Sequence, residues 1–289
     1  MRRVALLYLY AETPVHAGGG TSVGVVDNPI QREAGTTYPV VKGESLKGAL
    51  RALAVEMGMG RDRVNELFGD EIVAGESAPR PGQLAIDDAQ LVALPVPTLT
   101  STFAWATSAV SLARLSEKLW RAARVELRTP VPADGALATP GSSWNPADEI
   151  FGITTSPVSV DAVVGEWASY LADHAFVEHG VFEYFRDKLR RDLVVLDDAD
   201  FTANATFGTE ISTRNRLDGD KRVVPGGLFT AEYLPTETLL VSMVASRDAE
   251  HLRDLARLID DSGSLFQLGG GESIGKGQLW ARLVETEQP

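Results

Sequence analysis

Cysteine is absent from the 289 residues. That excludes disulfides, thiol nucleophiles, iron–sulfur clusters and any cysteine-built zinc site, and it fits a reducing compartment. Histidine is scarce: His16, His174, His179 and His251. No two of them stand with carboxylates at metal-ligand spacing, so a histidine zinc site is not expected. His174, His179 and His251 read as surface residues of helices, whereas His16 borders a glycine loop. Long apolar runs are also missing. The run Val4-Ala5-Leu6-Leu7-Tyr8-Leu9-Tyr10 falls far short of the ~20 residues that cross a bilayer, and Glu12 follows too soon for a signal peptide. The chain reads as cytoplasmic, without a membrane partner.

Positive charge is short as well. Lys and Arg number 27 against 40 Asp and Glu, a net charge of −13. Taken whole, this argues against nucleic-acid binding, which needs cations for phosphates. The distribution argues the other way. Six cations and four acids give the first 51 residues a net +2, so the remainder carries −15. A second basic island holds Arg214, Arg216, Lys221 and Arg222 against Asp218 and Asp220. An acidic body with two basic islands is compatible with a local anion site.

What is there reads as one domain of mixed elements. Periodicity predicts strands over 3–12, 83–94, 238–245, 264–268 and 277–284, and helices over 44–57, 108–123, 176–191 and 248–261. A glycine-rich loop runs from His16 to Gly24, followed by an extended piece over 25–30. Residues 129–159 carry Pro130, Pro132, Pro140, Pro146 and Pro157, which marks an irregular insertion extending over about 129–175. A long hairpin is expected over about 206–233, with Leu217-Asp218-Gly219-Asp220 as its turn. A β-α-β start and a β-α-β finish point to an α+β, ferredoxin-like core assembled from both chain ends.

Two motifs bear on anions. Gly270-Gly271-Glu272-Ser273-Ile274-Gly275-Lys276-Gly277 matches seven positions of a phosphate-binding P-loop, but Gly277 stands where Ser or Thr should hold magnesium. A strand is expected next, not a helix whose N-terminus could face phosphates. A nucleoside triphosphatase is rejected. What remains is a tight hairpin turn or a glycine loop that lets backbone approach RNA. Lys42-Gly43-Glu44-Ser45-Leu46-Lys47 opens a helix with amide donors and two lysines, chemically a phosphate site, or else a capped surface helix. Among many carboxylates Asp27 stands out by context alone, between Val25-Val26 and Asn28-Pro29; on its own it reads equally as a turn cap.

Gly24-Val25-Val26-Asp27-Asn28-Pro29-Ile30-Gln31-Arg32-Glu33 followed by Ser45-Leu46-Lys47-Gly48-Ala49-Leu50-Arg51 resembles the RAMP superfamily of CRISPR proteins, and more narrowly the repeated backbone subunits of Cmr-type (type III-B) effector complexes. Further matching segments in the family's order are 84–91, Pro95-Val96, 102–107, Leu228-Phe229-Thr230-Ala231-Glu232-Tyr233-Leu234-Pro235 and the tail 267–277. Two departures stand out: Lys42-Gly43-Glu44 replaces a proline-glycine-serine, and Ala231 replaces an acid common before Glu232.

The resemblance implies a modified ferredoxin-like (RRM-like) palm with inserted segments and a β-hairpin thumb. It also implies copies stacked head to tail along a CRISPR RNA, a complementary target RNA, and further effector-complex subunits in antiviral defence. Cleavage of the target at regular intervals would use a divalent metal, Mg²⁺ or Mn²⁺, held by Asp27, with His16 assisting as acid or base. RNA contacts would come from Gln31, Arg32, Lys42, Ser45, Lys47, Arg51, Arg214, Arg216, Gly270, Gly271 and Lys276. The alternative on the same fold is a non-catalytic RNA-binding scaffold. A small-molecule enzyme is disfavoured by the missing nucleotide motif and the lack of histidine clusters.

Overall fold

In the computed structural model, residues 3–20, 26–71, 79–142, 144 and 148–285 are described. The elements run β1 (Arg3–Ala11), β2 (Val40–Val41), α1 (Gly43–Glu56), α2 (Arg61–Phe68), β3 (Ala85–Ile86), β4 (Ala89–Pro97), β5 (Phe103–Ser108) and α3 (Ala109–Ala123). Next come β6 (Ala136–Ala138), β7 (Asp148–Phe151), β8 (Thr154–Val160), α4 (Ala162–His174), α5 (Glu183–Asp192), β9 (Leu193–Leu196) and α6 (Asp198–Phe207). The chain closes with β10 (Glu210–Leu217), β11 (Val223–Tyr233), β12 (Leu239–Ser246), α7 (Ala249–Asp261), β13 (Leu265–Gln267) and β14 (Gln278–Glu285). One large mixed sheet has the order β13-β14-β1-β12-β4-β5-β9-β6-β8-β7, while β10 and β11 pair apart from it as a two-stranded ribbon.

Strand β1 explains the layering. Successive side chains of a strand point to opposite faces. Ala5, Leu7, Leu9 and Ala11 enter one core with α1, α2, α6 and α7. Leu6, Tyr8 and Tyr10 enter a second core with α3, α4 and α5. Helices therefore cover both faces of the sheet at β1, which is why the strand reads as an unbroken apolar run instead of an alternating one. Both flanking strands, β12 and β14, pair antiparallel to it.

The stretch 129–175 corrects the expectation of an irregular insertion. It contains β6, β7, β8 and α4. Its prolines punctuate short elements: Pro157 sits inside β8, between β6 and β7. In α4, Val164, Trp167, Ala168 and Leu171 are buried at helical spacing, a periodicity that the surrounding prolines obscured. The helix expected over 176–191 begins later, at Glu183, and residues 206–207 end α6, so the ribbon starts at Glu210. His251 is not a surface residue. It is 8% exposed, its Nδ1 hydrogen-bonds Ser246 Oγ, and its Nε2 lies 3.3 Å from Glu66.

Helix α1 is pressed against the β3–β4 connection. A Cβ added at Gly43 would lie 2.4 Å from the Ile86 carbonyl oxygen. Gly43→Ala should therefore push the first turn of α1 off the sheet and cost about 1–3 kcal/mol, read as a lower urea midpoint. An unchanged midpoint would contradict this packing.

Glu237, between β11 and β12, accepts a hydrogen bond from the Tyr10 hydroxyl, and burial pushes its carboxyl up to about 7. The folded state thus binds a proton more readily than the unfolded chain. Its stability contribution is complete below pH about 4.5 and is lost as pH rises through about 7. Thermal midpoints between pH 5 and 8 should fall with pH in the parent chain and fall less in Glu237→Gln. Parallel profiles would contradict the assignment.

Candidate functional site

The site is built on the outer edge of β11. The segment before Gln31 lies along that edge: Asn28 N donates to Thr230 O, and Glu232 N donates to Asn28 O. This parallel bridge between Asn28 and Ala231 fixes Asp27 at the base of the ribbon. Asp27 Oδ2 accepts from Thr230 N (2.7 Å) and Thr230 Oγ1 (3.0 Å), while Asp27 N donates to Thr230 Oγ1 (2.9 Å). The backbone hydrogen bond from Thr230, and then its hydroxyl, hold the exposed Asp27 carboxyl below its ordinary range. Asp27 is therefore ionised at neutral pH.

Glu232 is the keystone beneath. Its Oε2 accepts from Ile30 N, and its Oε1 from Thr209 Oγ1 and from Arg32 at 2.5 Å. Arg32 also donates to the carbonyls of Thr37, Ala205 and Thr206, tying α6 to the site segment. The Glu232 carbonyl faces His16 Nδ1 at 2.7 Å. A carbonyl only accepts, so Nδ1 carries the proton there, and Nε2 of the neutral ring is left as an acceptor. Gly270 N donates to His16 O. A Cβ at Gly269, whose φ is 84°, would lie 2.3 Å from that same oxygen. The glycine run thus lets the tail loop close onto His16.

The ribbon has two unlike faces. On one, Arg214 and Lys276 lie over the Tyr233 ring at 5.8 and 5.0 Å, and Arg216 lies over Phe229 at 5.7 Å. Lys276 also pairs with Glu210. The other face carries Thr230 and the exposed Ile211, Thr213 and Leu228.

The expected residues thus divide. Asp27, His16, Arg32, Arg214, Arg216, Gly270, Gly271 and Lys276 gather around β11 and the tail loop. Lys42 immediately precedes α1 and Ser45, Lys47 and Arg51 lie along it, linked to the site segment by Gln31, whose Oε1 accepts from Lys42 N. The N-terminus of α1 already holds an anion. Asp88 accepts from Gly43 N and from Lys42 Nζ, and this hydrogen bond raises the Lys42 ammonium pKa. Arg51 is turned inward, onto Gly69 O, Asn65 and Glu71. Lys47 alone of these cations has no hydrogen bond or ion pair among the described residues, and Ser45 is exposed. Gly24 and Val25 lie outside the described residues.

The RAMP superfamily profile matches residues 8–280. The chain belongs to the RAMP superfamily. It is 29% identical to the CRISPR system Cmr endoribonuclease Cmr4 of Pyrococcus furiosus, over 97% of this chain and 96% of that protein. It is 24% identical to the CRISPR system CMR subunit Cmr4 of Saccharolobus solfataricus, over 96% and 95%. Two solved structures share the fold. One is a crystal structure of oligomeric Cmr4 from P. furiosus (TM-score 0.75, 24% identity, 99% of each chain). The other is a cryo-EM structure of the type III-B Cmr-beta bound to cognate target RNA (TM-score 0.72, 21% identity, 97% and 96%).

In this RAMP protein no group of three or more His, Asp or Glu side chains capable of holding a metal occurs among the described residues. The donor set fits a divalent ion in one way only. Asp27 offers a single carboxylate oxygen, Oδ1, that no described residue engages, and RNA oxygens and water would complete the shell, as suits magnesium. Thr230 and Arg32 were underestimated from sequence. A hydroxyl residue in a strand gives no signal until its partner is known, and Arg32 reads as a free cation until Glu232 is seen against it.

Glu232→Gln leaves Arg32 without its counter-charge, at a site where the carboxylate is 7% exposed. It should cost about 3 kcal/mol, measured by urea unfolding. A loss near zero would contradict the keystone role.

Proposed function

We propose that this chain is the repeated backbone subunit of a type III-B CRISPR effector complex and that it cuts target RNA complementary to a bound CRISPR RNA. One observation carries the reading: in a RAMP chain matching a Cmr endoribonuclease end to end, an exposed, ionised Asp27 is fixed at the base of a projecting ribbon. The large sheet then serves as a modified ferredoxin-like palm and the β10–β11 ribbon as its thumb. Copies stack head to tail along the guide, a heterologous contact that does not close, beside other subunits of the complex in the cytoplasm. No helix among the described residues is long and apolar enough to cross a membrane.

Sequence specificity belongs to base pairing, and the protein holds backbone. Lys47 and the row Arg214, Arg216, Lys276 supply cations for guide phosphates, with Gly270 and Gly271 admitting backbone close by. The thumb enters the duplex and kinks it, which lets a target 2′-oxygen line up with the adjacent phosphorus. That oxygen attacks, the P–O5′ bond breaks, the leaving oxygen takes a proton from water, and the products end in a 2′,3′-cyclic phosphate and a 5′-hydroxyl. Asp27 orients the reacting unit through its open oxygen, and His16 Nε2 can accept the 2′-hydroxyl proton. A Mg²⁺ or Mn²⁺ ion on Asp27 would supply positive charge at the phosphate. The second reading on the same fold is a scaffold that binds RNA without cutting it.

Asp27→Asn decides between them. The amide retains the volume and can still accept from Thr230, so fold, assembly and guide binding should persist. Cleavage of matched RNA in excess magnesium should fall by about a hundredfold or more. Near-normal cleavage would leave the scaffold reading.

A further inference from the structure

We propose that Thr230 is a positioning residue for the cleavage reaction, its hydroxyl fixing the orientation of the Asp27 carboxylate from the thumb strand itself. The inference rests on the reading of Asp27 as the residue that engages target RNA.

The geometry is reciprocal. The single hydroxyl proton of Thr230 goes to Asp27 Oδ2, and an oxygen lone pair accepts the Asp27 amide. Together with the Thr230 amide, this closes three hydrogen bonds of 2.7–3.0 Å between two residues 203 apart in sequence. Among the described residues, both donors to the carboxylate converge on Oδ2. With Oδ2 held, the direction of Oδ1 is fixed as well, and no described residue bonds to it.

An exposed aspartate ordinarily samples several rotamers. Here two donors remove that freedom. Val has the shape of Thr without the hydroxyl. It would leave one donor on Oδ2 and none of the reciprocal lock, while the β11 backbone stays paired. Thr230 also lies on the strand that forms the thumb, so displacing the ribbon against the duplex moves the carboxylate with it. That couples duplex engagement to the orientation of the reacting group, without a second element.

The test pairs two readouts. In the isolated chain, the Asp27 side-chain rotamer is read from NMR three-bond couplings in the parent, Thr230→Val and Thr230→Ser. In the assembled complex, guide affinity and the single-turnover cleavage rate on saturating matched RNA are measured for the same variants and for Asp27→Asn. Thr230→Val should average the Asp27 couplings over several rotamers and lower the cleavage rate about tenfold. Thr230→Ser should restore both, and guide affinity should not change. A single Asp27 rotamer retained in Thr230→Val overturns the proposal. So does a loss of cleavage that appears only as weaker RNA binding, which would mean that Thr230 touches RNA. Averaged couplings with full cleavage in Thr230→Val alone also overturn it, and full cleavage in Asp27→Asn as well overturns the reading of Asp27 instead.

Discussion

Everything at the site depends on one piece of backbone pairing: residues around Asn28 lie along the free edge of β11. An unpaired strand edge presents a row of amides and carbonyls that must find partners. Here the site segment supplies them, through Asn28 and through the Glu232 side chain on Ile30 N. Asp27 is thereby held by the ribbon's own strand, although more than two hundred residues separate them in the chain. His16 enters from the same side, pinned between the Glu232 carbonyl and the tail glycines.

The acidic composition becomes intelligible once the cations are followed to their partners. Arg32, Lys42 and Arg51 serve structure, closing ion pairs with Glu232, Asp88 and Glu71. Arg214, Arg216 and Lys276 stack on two rings along one face of the ribbon. A cation over an aromatic face keeps its charge and remains able to meet a phosphate. A chain with a net charge of −13 therefore needs few free cations to hold RNA, provided they line one path. The large sheet gives that path a rigid base, because β1 commits its two faces to two separate cores.

Much of this was legible in the amino-acid order. The apolar run of β1, the periodicity of α1, α3 and α7, and the ribbon with its polar tip announce themselves through spacing alone. The elements of 129–175 did not, because short strands broken by proline carry too few residues to establish a period. Strand β5 and helix α6 were likewise hidden, since Phe103–Ser108 and Asp198–Phe207 have little local amphipathic contrast. At the site, Asp27 and His16 were visible by family resemblance. Which cations are occupied was not, because Arg32 and Lys42 find their acids 200 and 46 residues away. Nothing in a linear pattern marks a threonine such as Thr230 as the partner of a distant aspartate.

The most direct test of the account is a structure of the assembled complex on a target whose 2′-hydroxyls are replaced by hydrogen, so that RNA stays uncut. The account predicts one target phosphate beside the Asp27 carboxylate of each protomer, the thumb inserted at that step, and guide phosphates along the Arg214, Arg216 and Lys276 face. Guide phosphates against Asp27, or a target backbone passing on the far side of the ribbon, would contradict it.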